Sequence, residues 1–262
     1  IGQPKNVPLK GIRVQLVDRD AGFFYEIIPD ESGNQIYTNH NGNYTISYNV
    51  CQSYFEGNEL ELSVRFISNT NSDQNIYSAN SIGTRYKHQT SEWSAVQHAG
   101  AMNKGITNLD MRSQVVSIEY EAFTSVHWAR LGCIYFSDNV PNSPQAFKNL
   151  KIKLGATISN YFLMPELNPF QNTPVINLME RSALRENITY HEFGHFTMYR
   201  LQNNNFDLPW GEDWFNHSWR QENTSKLAWI EAWANFVQML LDAWNWEEDG
   251  EYALDEDFYA NP

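Results

Sequence analysis

The hydrophobic period of this chain changes near residue 114, and one kind of secondary structure cannot follow it across that point. Before the change, apolar residues alternate. In GIRVQLVD (11–18), Ile12, Val14 and Leu16 fall on one side and Arg13, Gln15 and Val17 on the other, the two-residue repeat of a strand. LELSVRFIS (60–68) alternates again, and ITNLDMRS (106–113) offers a closing strand. QIYTNHNGNYTISYNV (35–50) reads as two strands around the turn pair Asn41-Gly42. Short strands separated by Gly, Asn, Asp and Ser clusters predict a β-sandwich over residues 1–113.

After the change the repeat is helical. VSIEYEAFTSVHWARLGCIYF carries apolar residues at three- and four-residue intervals and predicts a helix over 117–135. KNLKIKLGA (148–156) and PVINLMER (174–181) read as strands, and two more helices are expected over 183–202 and 225–244. Between those helices, NNNFDLPWGEDWFNHSWRQENT holds Pro209, Gly211 and three tryptophans, the marks of a long ordered loop. The expected fold class is multi-domain, β + (α+β): an N-terminal β-sandwich over 1–113, then an α+β domain over 114–262, with the boundary near 113–116.

With 42% hydrophobic residues the chain can build a core. A net charge of -13 argues against nucleic acid, whose phosphates call for basic patches. No stretch approaches the roughly 20 apolar residues of a membrane span. The sequence starts at Ile1 and not at Met, which fits a processed form and an extracellular or cell-envelope location. Cys51 and Cys133 lie far apart with no metal-type spacing, and both a disulfide and two free thiols stay open.

ENITYHEFGHFTMYRL (186–201) carries the chemistry. His191 and His195 are four residues apart, so one helix face presents both imidazoles to one ion. Glu192 points to the neighbouring side, within reach of a water that zinc acidifies, where its carboxylate can take the proton as a carbonyl is attacked. The bland alternative is an ordinary buried helix. Ile188, Phe193, Phe196, Met198 and Leu201 put apolar residues on several sides, and polar groups in such a helix need partners. One zinc ion per chain is the economical partner.

The residues downstream bear on the third ligand. Met198 and Leu201 stand where a metzincin would place Gly and His, and no GTxD-like turn appears later in the chain. In TSKLAWIEAWANFVQMLLDAW, Thr224 or Ser225 offers an N-cap. Apolar residues Ala228, Trp229, Ala232, Trp233, Phe236, Val237, Leu240 and Leu241 cover most of the circumference. Glu231, Asn235, Gln238 and Asp242 form one polar stripe. That stripe is either a solvent face or the side that delivers Glu231 to the metal, with Ala232 and Ala234 letting the helices approach.

HEFGH followed after 35 residues by EAWANF resembles the gluzincin peptidases, whose third zinc ligand is a helical Glu. The wider wording TYHEFGHF…AWIEAWANF is similar to gluzincin-like proteins of bacteria, over residues 175–245. The resemblance implies a zincin-like metallopeptidase domain over 114–262, with His191, His195 and Glu231 as ligands, Glu192 as base and a protein or peptide as substrate. Thermolysin-like members place an Asp four residues after the ligand Glu to hold a zinc histidine. This chain has Asn235 there, whose carbonyl can orient His191 without a carboxylate's charge. The opening GIRVQLVD…YTNHNGNYTISY resembles transthyretin-like and carboxypeptidase-regulatory-like sandwiches of exported bacterial proteins.

His217 competes with Glu231 as ligand, or serves as the oxyanion stabiliser that gluzincins draw from a His or Tyr. Tyr252 and Tyr259 are rivals for that second role, while Glu212, Asp213 and Glu222 read as loop caps. PVINLMER is open to two readings, an edge strand that binds extended substrate or an interior strand packed on the helix. The main function expected is zinc-dependent peptide hydrolysis. The alternative is a non-catalytic zincin-fold binding or scaffold protein at the cell surface, for which nothing would require Glu192. A structural zinc site fits less well, since such sites close with four ligands, usually including Cys.

Overall fold

The computed structural model describes residues 9–19, 25–39, 41–48, 59–70, 74–80, 84–89, 93–96, 118–143, 145–157, 159–165, 172–179, 182–204 and 225–249. The alternating N-terminal segments form one antiparallel sheet. β1 (Arg13–Arg19) lies between β2 (Tyr25–Ile28) and β4 (Glu59–Ile67), and β4 is flanked by β6 (Lys87–Gln89). β3 (Ile36–Tyr37) also pairs with β1, and β7 (Trp93–Val96) with β4. Leu16 faces Ile28 on one neighbour and Val64 on the other, and all three are buried, as the alternation requires.

The hairpin expected around Asn41-Gly42 forms its turn but not its second strand. Gly42 takes a φ of 73°, which a side chain would strain, and its N–H donates to the Asn39 carbonyl at 3.0 Å. The Asn39 side-chain oxygen accepts from the N–H groups of Asn41 and Asn43 at 2.9 and 3.0 Å. That local capture competes with a ladder, and 43–48 runs without strand pairing. The strand expected at 106–113 lies outside the described residues.

The second sheet draws strands from both sides of the 113–116 position. β5 (Ile76–Ala79), from the first 113 residues, pairs in parallel with β8 (Leu150–Ala156). β8 pairs in parallel with β10 (Val175–Met179), and β9 (Tyr161–Leu163) closes the row antiparallel to β10. The chain therefore enters the second sheet before the helix that was to begin the second domain. Among the described residues the N-terminal part supplies one sheet of its own and a strand to the other. β10 is an interior strand; β9 is the edge, which settles the reading of PVINLMER.

Among the described residues three helices complete the fold: α1 (Ile118–Asn139), α2 (Glu186–Leu201) and α3 (Ser225–Asp249), with a 3-10 turn at Ser182–Leu184 before α2. Leu150, Ile152, Leu154, Phe162, Ile176 and Leu178 project from one face of the second sheet into a cluster shared with Phe123, Val126, Phe193 and Phe196 of α1 and α2. The same cluster takes in Val14, Leu16 and Phe66 of the first sheet. α1 approaches α2 closely at Gly132, where an added Cβ would lie 2.5 Å from the Phe193 ring. Cys133, one residue on, is a buried free thiol that burial pushes above its usual range. Among the described residues no helix is long and apolar enough to cross a membrane.

Candidate metal centre

α2 and α3 run antiparallel, and their small residues set the spacing. A Cβ on Gly194 would sit 2.6 Å from the Ala234 Cα and 2.9 Å from its carbonyl oxygen, so backbone meets backbone. One turn on, the Trp233 indole N–H donates to the Thr197 hydroxyl at 3.0 Å, and that hydroxyl donates to the Gly194 carbonyl at 2.7 Å. The sequence expected Ala232 and Ala234 to permit this approach. Only Ala234 does; Ala232 is exposed. Gly194 itself carried the stronger signal, a glycine within a helix that its propensity alone would disfavour.

This approach places Glu231 against both histidines. Its carboxylate oxygens lie 3.2 Å from His191 Nε2 and 3.5 Å from His195 Nε2. One donor atom from each of the three residues falls within 4.8 Å of the others. The set is shielded, with His195 buried and His191 and Glu231 half-buried.

Asn235 ties two of the three together. Its Oδ1 is 3.0 Å from His191 Nδ1, and its Nδ2 donates to the Glu231 backbone carbonyl at 2.8 Å. With Nδ2 committed to a carbonyl, the amide must present its oxygen to His191. Nδ1 then carries the proton, which leaves the Nε2 lone pair available to a metal ion. An Asp at this position would set a carboxylate oxygen against the Glu231 carbonyl, so an amide suits these two contacts better than a carboxylate would.

Glu192 follows His191 on α2 and is only 5% exposed. Burial is the largest influence on His191 and opposes its charged form. The Glu231 contact, the charges of Glu192 and Glu231, and the Asn235 bond together outweigh it and raise the imidazole above its usual value.

The polar stripe of α3 faces inward along its length. Gln238 is buried, and Asp242 is held up at about 7 by burial first and the Glu186 charge second, with a Gln238 hydrogen bond opposing. The solvent face is apolar instead, with Trp229 61% and Met239 60% exposed. Sequence reasoning that sends polar side chains to water therefore fails here. His217, Tyr252, Tyr259, Glu212, Asp213, Glu222, Thr224 and Cys51 lie outside the described residues.

Residues 147–261 match the family described as the Mycolysin C-terminal domain. The matched span holds β8, β9, β10, α2 and α3, and so His191, His195 and Glu231. The match supports a peptidase-associated protein. Neither the curated proteins nor the solved structures give a match.

Proposed function

We propose that the chain binds one zinc ion through His191 Nε2, His195 Nε2 and a Glu231 carboxylate oxygen, and hydrolyses peptide bonds with Glu192 as general base. Two imidazoles and one carboxylate make the three-ligand donor set of zinc sites that keep a fourth position open, and among the described residues no cysteine joins the group. Zinc bound there would polarise the scissile carbonyl and acidify water.

The chain's own residues do the rest. Asn235 fixes the His191 tautomer, and Glu231 reaches the site from a helix locked to α2 by the Gly194–Ala234 contact. Glu192 sits beside the ligands in a shielded position, where a carboxylate can take a proton from the attacking water and return it to the leaving amine. β9 pairs only with β10 among the described residues, so its other edge can extend the sheet with a substrate backbone. The observation that carries the reading is Glu192, a buried carboxylate next to a ligand set that does not need it. The peptidase-associated match also suits a protein or peptide substrate and an extracellular or cell-envelope setting.

A second reading keeps the zincin fold without turnover, as a binding or scaffold protein. The family match favours it over hydrolysis, because the matched domain is described by its place in a peptidase and by no catalytic role. Glu192→Gln separates the two readings. Wild-type protein should cleave a quenched fluorescent peptide library, and the variant should retain zinc while losing about 10²–10⁴-fold in rate. A zinc-loaded wild type without cleavage would establish the scaffold reading. An equally active Glu192→Gln would remove the base.

A further inference from the structure

The face of the second sheet turned away from the helices is built differently from the rest of the chain. Ile152, Leu154, Ile176 and Leu178 point into the core, so their neighbours along each strand point to the other side. Strand register assembles those neighbours into two rows. Ala79 pairs with Arg85 and with Lys153, Lys153 with Asn177, and Asn177 with Tyr161. In the next row Tyr77 pairs with Lys151, Lys151 with Val175, and Val175 with Leu163.

Three cations thus share one face of a chain whose net charge is -13, and no paired position in either row is acidic. Among the described residues neither lysine forms an ion pair, and Arg85 stacks on the Tyr77 ring with its guanidinium carbon 4.9 Å from the centroid. At the middle lies Asn177, 3% exposed, whose Nδ2 has no hydrogen-bond partner. A buried amide left unmet is destabilising, and a polar side chain there is hard to account for by packing alone. Burial, followed by the charge of Lys153, also holds Lys151 below the usual lysine range.

We propose that this face binds an oxyanion, the sulfate, phosphate or carboxylate group of a ligand lying across the strands, between Lys151, Lys153 and the Asn177 amide. Lys153 and Asn177 are direct cross-strand neighbours about 5 Å apart, and Lys151 is about 7 Å along the strand from Lys153. One oxyanion can therefore accept from the amide while both ammonium groups approach it. Tyr77 and Tyr161 flank the position in the two rows and offer ring surface to the rest of the ligand. The site is separate from the metal centre, which lies on the helices packed against the opposite face.

The test titrates the ¹⁵N-labelled, metal-free full chain with sodium sulfate, sodium phosphate and sodium acetate, with sodium chloride at matched ionic strength as reference. The Asn177 side-chain NH₂ signals should shift saturably with at least one of the three. Saturation by acetate alone assigns a carboxylate, and saturation by sulfate or phosphate a tetrahedral anion. Lys151→Gln and Lys153→Gln should each weaken the effect about tenfold, the loss of one charge-assisted contact, without changing zinc uptake. Shifts that chloride reproduces, or that survive both substitutions, overturn the proposal.

Discussion

Gly194→Ala tests whether close approach of two helices assembles the metal site. The added Cβ would lie 2.6 Å from the Ala234 Cα, 2.9 Å from its carbonyl oxygen and 3.2 Å from its carbonyl carbon. The first distance is about 0.8 Å short of ordinary contact, and the obstacle is backbone, which no rotamer change can clear. Either α3 retreats or α2 bends. Overpacking of this kind costs about 1–3 kcal/mol, offset by up to about 1 kcal/mol from the higher helix propensity of Ala. The metal-free protein should therefore lose about 1–2 kcal/mol. Zinc affinity should suffer more, because ligand distances tolerate only about 0.2 Å and Ala234 lies one turn beyond Glu231. A drop of about 10–100-fold is expected, comparable to loss of a ligand's supporting partner. The assay is competition for zinc against a chromophoric chelator, with thermal unfolding of the metal-free form alongside. Gly132→Ala is the control, since its Cβ would press on the Phe193 ring and not on α3; it should lower stability and spare affinity. Unchanged zinc affinity in a folded Gly194→Ala protein would mean that helix spacing does not set the ligand geometry.

Two further predictions concern pH. His127 is buried, and burial first, then the charges of Arg130 and Lys10, push its pKa down to about 3. Its stabilising contribution is full above about 6.5 and is lost as pH falls from there through 3, on the order of 5 kcal/mol across the window. His127→Leu should flatten the acid limb of urea unfolding between those limits, and an unchanged slope would contradict this. Asp242 behaves oppositely, with a folded pKa of about 7 against 3.8, so stability falls as pH rises through that interval. Asp242→Asn should gain up to about 4 kcal/mol at pH 8 relative to its effect at pH 3.5, and equal effects at both would argue against a buried acid.

The proposed metal site is more legible in the sequence than the fold around it. His191, Glu192, His195 and Glu231 stand out because the zinc chemistry proposed for them would fix both residue types and helical spacing. The strong apolar repeats of α1, α2 and α3 fix those helices for the same reason: each buries a face along many residues. β5 and β9 escape a reading by pattern, and both are short. NIYSAN, which contains β5, is rich in turn-forming residues and becomes a strand only because β8 supplies its partner from 74 residues away. That pairing also joins residues from either side of 113–116 in one sheet. The outer face of α3 misleads because the usual rule is reversed there, with Glu231 and Asn235 turned inward while Trp229 and Met239 face water.

Everything proposed for catalysis depends on one zinc per chain held by His191, His195 and Glu231. Elemental mass spectrometry of zinc-loaded protein, after dialysis against metal-free buffer, gives the answer when wild type and Glu231→Ala are run side by side. Close to one zinc per wild-type chain is predicted, with a large loss in Glu231→Ala. No zinc in the wild type, or full zinc in the variant, would contradict the assignment of these ligands.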